Sequence, residues 1–181
     1  GYVSSANNKT TPDDYPYYIS YWYATSDRID RIREMLEEKE LLGIEDIKAM
    51  HCDVKSKKAE QFTPVFFFFF KSATDLNETK KKALASLENW NYELTRESSA
   101  AAIFEVLFRK VCENLIKDDL SPELFTGLKG QRILLENLMM NILPDKSSAW
   151  IDDNTTSETE NYDKIVIRSF KETVADLTIK I

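Results

Sequence analysis

Glycine and proline are scarce in this sequence, and the shortage narrows the range of possible folds. Among 181 residues there are only four glycines and five prolines, which favours long helices over many short strands joined by tight turns. The four glycines never fall at the spacing of a phosphate-binding loop. With 43% hydrophobic and 30% charged residues, the chain is long and apolar enough to form a globular domain with a substantial core.

Histidine and cysteine are also rare, which limits metal and nucleophilic chemistry. His51 is the only histidine, so a site built from several histidines is excluded and a Ser-His-Asp triad has one candidate base. Cys52 is not its partner, because successive residues of a helix point about 100° apart. Cys52 and Cys112 lie far apart without metal-type spacing, so we expect buried free thiols and no disulfide framework.

Charge and hydropathy argue against two further classes of partner. The net charge is -7 and no basic stripe is present, so we expect no nucleic-acid partner. The apolar run at residues 65–70 is far shorter than the roughly 20 residues of a transmembrane helix, so we expect no membrane span. The close acids Asp152 with Asp153 and Glu158 with Glu160 can in principle bind a cation, although a solvated loop is the simpler interpretation.

Apolar residues at helical spacing predict a mainly α fold of about seven to eight helices, preceded by a short strand at residues 2–6. One of these helices, at residues 57–73, can also be read as a buried strand, because five successive phenylalanines are apolar on every face. The other predicted helices cover residues 26–39, 44–54, 78–90, 99–117, a segment from 121, 131–143 and a segment from 162. Ser26 and Asn77 are predicted N-caps, and Ser121 begins a helix-start signature.

Aromatic residues and one proline give further expectations about packing. The block Tyr15–Tyr23 is expected to form a packed wall, and the run Phe66–Phe70 is expected to need cover on every side. An isolated chain that leaves such surface uncovered is expected to self-associate. Pro144 is predicted to end the helix before it, and the polar residues 145–161 to form a loop held by Trp150.

Three segments near the start carry a family resemblance. They read Gly-Tyr-Val-Ser-Ser-Ala-Asn-Asn at residues 1–8, Asp-Tyr-Pro-Tyr-Tyr at 14–18 and Ser-Asp-Arg-Ile-Asp-Arg-Ile-Arg-Glu-Met-Leu at 26–36. This order resembles the penicillin acylase (penicillin amidase) family, in which a G-Y-hydrophobic-x-x-x-N-N strand leads to Tyr-Pro and then to an arginine-led helix. Ile44–Met50, Trp90, Ser98–Phe108 and Tyr162–Leu177 support the resemblance more weakly, through order and spacing.

The resemblance implies a chemistry and two site residues. Members of this family are N-terminal-nucleophile hydrolases, in which a self-cleaving precursor exposes a serine whose free amine activates its own hydroxyl. By this resemblance Asn7 falls on the asparagine that holds the oxyanion, and Arg28 on an arginine that orders the active site. Residues 1–13 are then the strand and oxyanion-hole segment, and residues 14–181 a helical domain of the large subunit. The resemblance implies that this chain is a piece of a larger α+β N-terminal-nucleophile hydrolase.

The sequence departs from the family pattern at the nucleophile and at a calcium ligand. Residue 1 is glycine, and Ser4 and Ser5 are internal, so no nucleophile is assigned and the chain alone is expected to be inactive. It would need the small subunit and the nucleophile-bearing core as partners. Calcium-binding members carry an aspartate near positions 17 and 18, where this chain has two tyrosines. The resemblance then implies that calcium is possible in the parent but without this ligand, although Asp13 and Asp14 lie close. No cofactor, metal ligand or substrate-binding residue is assigned.

The remaining expectations concern substrate, compartment and the alternative function. The resemblance implies an N-acyl small-molecule substrate, either a β-lactam antibiotic or an N-acyl homoserine lactone, and a secreted or periplasmic parent. The chain begins with Gly1 and shows no targeting motif, so we expect a processed or excised piece. The alternative is a non-enzymatic all-helical binding or scaffold domain, which accounts for the helices but not for the ordered match from Gly1 to Met50.

Overall fold

The computed structural model describes residues 1–70, 72–74, 76–142 and 148–178. Within these residues the chain is mainly helical, as predicted, with eight α-helices and one short 3-10 helix. The α-helices are α1 (Asp27–Glu37), α2 (Ile44–His51), α3 (Lys57–Phe70), α4 (Glu78–Glu88), α5 (Ser99–Asn114), α6 (Pro122–Lys129), α7 (Arg132–Ile142) and α8 (Tyr162–Thr178), and the 3-10 helix is Ala149–Ile151. The choice left open for residues 57–73 is decided in favour of a helix.

Helix starts follow the capping chemistry of the sequence in most places. Asn77 and Ser121 each accept a hydrogen bond from the backbone N–H three residues later, as predicted, and Ser98 does the same at the start of α5. Ser26 precedes α1 as predicted but makes no cap bond. Its own backbone is already helical (φ -77°, ψ -11°), whereas a capping residue needs an extended backbone to turn its oxygen onto the first turn.

The core is built around α5. This helix packs on α8 more extensively than any other pair of described helices, and α4 and α7 also lie against it. Phe104, Leu107 and Val111 repeat at spacings of three and four and are fully buried, which is the pattern of a helix with a wide core-facing stripe. The thiol of Cys112 is buried on the same helix, as predicted. The prediction of a buried thiol is wrong for Cys52, which is exposed directly after α2, a helix that has no buried residue to carry it into the core.

Most of the phenylalanine run of α3 packs into this core, with Phe66, Phe69 and Phe70 buried. Phe66 packs on Phe104 with ring centroids 6.3 Å apart, and Phe70 packs on Phe170 at 4.8 Å. Phe68 is 61% exposed. This chain therefore leaves the run uncovered at Phe68, because the helix turns that side chain toward solvent while Phe66, Phe69 and Phe70 reach the core. That the run needs cover on every side stays a prediction at this position.

Two N-terminal predictions are corrected. The predicted strand at residues 2–6 is absent, and the nearest pairing is an isolated parallel bridge between Asn8 and Ala24. A strand requires a neighbouring strand for its backbone hydrogen bonds, and the described residues here supply only that one bridge. The aromatic block at residues 15–23 is not a packed wall, because most of its rings are exposed, Tyr18 at 76% and Tyr21 at 84%.

The loop before α8 is held differently from the prediction. Trp150 is exposed, whereas Ile151 and Asp153 are buried. Asp153 accepts a hydrogen bond from Arg168 Nη1 of α8 at 2.7 Å, so an ion pair and an isoleucine fix this loop. The predicted helix stop at Pro144 lies outside the described residues. None of the described helices combines the length and the apolar character that crossing a membrane would require.

Candidate functional site

The segment around Asn7 is fastened to the residues that lead into α1. The N–H of Ala24 donates to the carbonyl oxygen of Asn7 at 2.8 Å, and Asn8 forms the isolated bridge with Ala24. Ala6 and Asn8 are both buried, whereas Asn7 between them is exposed. The chain therefore presents a single side chain to solvent from an otherwise anchored turn.

Both ends of the Asn8 side-chain amide are hydrogen-bonded within this turn. Its Oδ1 accepts a hydrogen bond from the N–H of Ala6 at 3.0 Å, and its Nδ2 donates to the carbonyl of Lys9 at 2.8 Å. Asparagine is well suited to such a local side-chain-to-backbone turn. Asn8 thus shapes the segment.

Asn7 has the conformation that turns its side chain away from the anchored residues. Its φ is 62°, in the left-handed region that few residues other than glycine and asparagine adopt easily. Among the described residues only Asn7 and Tyr92 combine a side chain with positive φ. The backbone therefore favours asparagine here for a conformational reason as well as for its amide.

Arg28 fixes the orientation of the Asn7 amide. Its Nη2 donates to Asn7 Oδ1 at 2.9 Å and to the carbonyl oxygen of Ala6 at 2.6 Å. A guanidinium has donors and no acceptor, so it selects the oxygen end of the amide. The Nδ2 group must then point away from Arg28, and no acceptor for it occurs within the part of the chain that the structure describes. The result is an exposed N–H donor held by a charged neighbour.

Arg28 occupies an electrostatically unfavourable place in its helix. It lies in the first turn of α1, where the partial positive charge of the helix end disfavours a cation by a few tenths of a kcal/mol. Asp27 and Asp30 in the same turn offset this cost. The helix end thus gives no reason for a cation here, whereas the contacts of Arg28 with Ala6 and Asn7 do.

An open groove of about 320 Å³ borders Arg28. Its walls include an ion pair in which Arg31 donates to both carboxylate oxygens of Asp53, at 3.0 and 2.7 Å. These hydrogen bonds lower the pKa of Asp53, so the pair remains charged down to acidic pH. The groove gives the site a polar, solvent-accessible side.

Other candidate chemistry does not converge on this turn. Ser4 and Ser5 carry no free amine, and His51 is exposed at the end of α2. Across residues 1–70, 72–74, 76–142 and 148–178, no group of three or more histidine, cysteine or acidic side chains is arranged to hold a metal ion. Asp13 is paired with Lys9.

The acidic pairs of the loop before α8 act as internal acceptors. The Oδ1 of Asp152 accepts a hydrogen bond from the backbone N–H of Glu160 at 2.9 Å. The carboxylate of Glu160 in turn accepts from the N–H of Asp153 at 3.0 Å and from the hydroxyl of Thr156 at 2.9 Å. This supports the simpler interpretation of these residues, a structured polar loop.

Comparison with known families identifies the class of protein. A family model described as penicillin amidase matches residues 1–181, and the chain therefore belongs to the penicillin amidase family. No curated protein matches the chain. Membership of an amidase family favours the predicted hydrolase over the helical scaffold alternative.

Three contributions to the site were not predicted from the sequence. The carbonyl of Ala6 accepts from Arg28, the N–H of Ala24 anchors Asn7, and the amide of Asn8 closes the turn. The first two are backbone groups, which leave no mark on the choice of side chain. Only Asn8 carried a signal, the tendency of asparagine to bond its own backbone.

Proposed function

We propose that this chain supplies the oxyanion donor of an amide hydrolase that cleaves N-acyl small molecules. The observation that supports this most is the bond from Arg28 to Asn7 Oδ1, since it leaves Nδ2 free to donate. β-Lactam antibiotics and N-acyl homoserine lactones are the two substrate classes of this proposal. Both contain the amide that such a donor would polarise.

The reaction assigns the nucleophile to another part of the parent enzyme. The hydroxyl oxygen of an N-terminal serine attacks the amide carbon while its proton passes to the serine's own amine. The carbonyl electrons move onto oxygen, and Asn7 Nδ2 donates to that oxyanion. Collapse of the intermediate breaks the C–N bond, the leaving amine takes the proton, and an acyl-ester remains. Water then attacks the ester in the same way and releases the acid.

The proposal assigns a different role to each of two segments of the chain. Residues 1–13 carry the donor, and residues 14–181 form the helical support that holds Arg28 in place. The small subunit and the nucleophile-bearing core are the proposed partners. The chain alone is then inactive, and turnover by the purified chain that disappears on replacing Ser4 or Ser5 would contradict this assignment.

Two substitutions of Asn7 in the parent enzyme test the donor role. Asn7→Gly removes the amide without strain, because glycine adopts positive φ freely. Asn7→Asp keeps an oxygen for Arg28 but loses the N–H donor. Both are expected to lower kcat by about 10²–10³ or more, the usual cost of one lost oxyanion donor, with little change in KM. A fall of less than about threefold in kcat for both variants would refute the proposal.

A further inference from the structure

A second pocket lies between α5, α6 and α7, and neither Asn7 nor Arg28 lines it. Its volume is about 310 Å³. The floor is apolar and is formed by Val106, Phe108 and Leu135 together with the thiol of Cys112. Burial raises the pKa of that thiol, so it contributes an inert apolar surface and no nucleophile.

The rim of this pocket is cationic, and its cations are incompletely paired. The Nε atom of Arg109 lies 3.9 Å and Lys129 Nζ 3.7 Å from the same carboxylate oxygen of Glu113, beyond hydrogen-bond distance. Arg132 contacts Glu136 through Nε at 3.3 Å, which leaves its two terminal nitrogens available. All three cations are exposed to solvent. The rim therefore retains guanidinium and ammonium donors of the kind that bind carboxylates.

Both acids of the pocket lining are already paired with a cation. The buried Lys58 Nζ lies 3.1 Å from Glu105 and 3.4 Å from Glu136, and it stands 4.8 Å from the centre of the Phe108 ring. The lining carries four cations against two carboxylates, which makes it net positive within a chain of net charge -7. The pocket remains positive by one charge when Glu113 beside it is included. A local reversal of the overall charge favours an anionic ligand.

We propose that this pocket binds a small organic carboxylate with a short unbranched apolar chain. The carboxylate accepts hydrogen bonds from Arg109 and Arg132 at the rim, and the chain packs on Phe108 and Leu135 below. The proposal does not depend on the function assigned to Asn7, because neither Asn7 nor Arg28 lines this pocket. The pocket and the groove beside Arg28 have Lys58, Glu105, Arg132 and Glu136 in common.

Hexanoate is a suitable probe, since its six-carbon chain fits the volume of the pocket and its carboxylate can be replaced by an amine of the same chain length. Calorimetric titration is expected to show saturable binding of hexanoate, with hexylamine and inorganic phosphate at least about tenfold weaker. Equal affinity for hexylamine would exclude recognition of the negative charge. Equal affinity for phosphate would exclude a role of the apolar floor. Absence of saturable hexanoate binding in the millimolar range would overturn the proposal.

Two glycines provide a matched pair of variants. Gly130 lines the pocket, whereas Gly127 does not. At both positions an added Cβ meets no atom within 4 Å, so a larger side chain fits without a clash. Gly130→Leu is expected to weaken hexanoate binding at least about tenfold by filling the entrance, whereas Gly127→Leu leaves it unchanged. Equal effects of the two variants would place the bound hexanoate elsewhere.

Charge variants test the rim directly. The double variant Arg109→Gln with Arg132→Gln is expected to weaken hexanoate binding by at least about tenfold. The control pair Lys81→Gln with Lys82→Gln removes the same charge from α4, outside the pocket, and is expected to have no effect beyond ionic screening. Circular dichroism and thermal unfolding check that each variant is folded. An unchanged affinity in the folded rim variant would overturn the proposal.

Discussion

At the scale of single residues, the adjacent asparagines 7 and 8 have opposite roles. Asn8 is 7% exposed and its amide is hydrogen-bonded within its own turn, whereas the Asn7 side chain is exposed and held only through its oxygen. Two chemically identical side chains thus have different roles, because the turn buries the one at position 8 and exposes the one at position 7. Asn8→Ala is consequently a stability variant, since it leaves the N–H of Ala6 without its acceptor.

Arg28→Ala in the parent enzyme is expected to lower kcat by roughly tenfold with little change in KM. Without the guanidinium the Asn7 amide is free to rotate, so Nδ2 points at the oxyanion for only part of the time. Steady-state kinetics provide the measurement. Arg33→Ala removes the same charge from an exposed position of α1 and serves as the control.

Arg28→Ala in an Asn7→Gly background shows whether Arg28 acts by orienting the Asn7 amide or contacts the substrate itself. If Arg28 acts through Asn7, Arg28→Ala has no further effect on kcat once the amide is gone. A loss of similar size in both backgrounds would mean that Arg28 contacts the substrate itself.

The sequence identified Asn7 and Arg28 as separate candidates but not the contact between them. They lie 21 positions apart, and their hydrogen bond depends on how residues 9–27 return to the turn. No local propensity encodes such a return path. The positive φ of Asn7 likewise became visible only with the backbone.

At the scale of secondary-structure elements, the phenylalanine run of α3 divides into side chains that stabilise the core and one that does not. Phe66 is 1% exposed and packs on Phe62 and Phe104, whereas Phe68 points outward. We expect Phe66→Ala to lower the free energy of unfolding by roughly 3–5 kcal/mol and Phe68→Ala by less than about 1 kcal/mol. Denaturant titration of both variants measures the difference. Equal losses would mean that Phe68 is covered in the native protein.

The loop before α8 is expected to make stability depend on acid pH. Hydrogen bonds from Thr155, and then from Arg168, lower the pKa of the buried Asp153 from 3.8 to about 2, against the opposing effect of burial. Because the folded-state pKa is depressed, this contribution is complete above about pH 4 and is lost as the pH falls through about 2.

Asp153→Asn is therefore expected to cost on the order of 1–2 kcal/mol at pH 6, with the difference from the wild type shrinking toward pH 2. Free energies of unfolding measured along this range check the trend. Glu158→Gln removes an exposed carboxylate that pairs with Lys164 in the same segment and is expected to change little. A difference for Asp153→Asn that stays constant with pH would rule out this account.

Helices were predictable because their signals are local. Apolar spacing located the α5 stripe, and Asn77 and Ser121 marked helix starts correctly. The strand at residues 2–6 was wrong, because a strand depends on a partner that its own residues do not reveal. The predictions that Trp150 holds its loop and that residues 15–23 form a packed wall were wrong for a related reason. Aromatic rings pack only where a neighbouring element covers them, and the sequence does not show that neighbour.

At the scale of the whole molecule, the exposed aromatic block is the surface through which we expect the isolated chain to self-associate. Tyr15, Tyr17, Tyr18, Tyr21 and Trp22 are all exposed, and an apolar patch of this kind is uncommon on an isolated monomer. We expect the purified chain to form a dimer or a larger species in light scattering. Tyr18→Ser combined with Tyr21→Ser is expected to shift it toward the monomer.

The Phe68→Ser variant is the control for that experiment, because it removes an exposed ring outside the aromatic block. A wild-type chain that is monomeric and binds no hydrophobic dye would contradict the expectation. A shift toward monomer with Phe68→Ser alone would assign the association to α3.

The whole account depends on what Asn7 stabilises. A helical domain that positions one donor lowers the energy of the oxyanion and hardly that of the bound amide, because charge builds up only on the way to the tetrahedral intermediate. Binding of a tetrahedral phosphonate analogue, compared with binding of the substrate amide, measures this difference directly in the parent enzyme. We predict that Asn7→Gly weakens the phosphonate by about 10²–10³ and the amide by less than about threefold. Equal weakening of both ligands, or an unchanged affinity for the phosphonate, would contradict the role of Asn7 as the oxyanion donor.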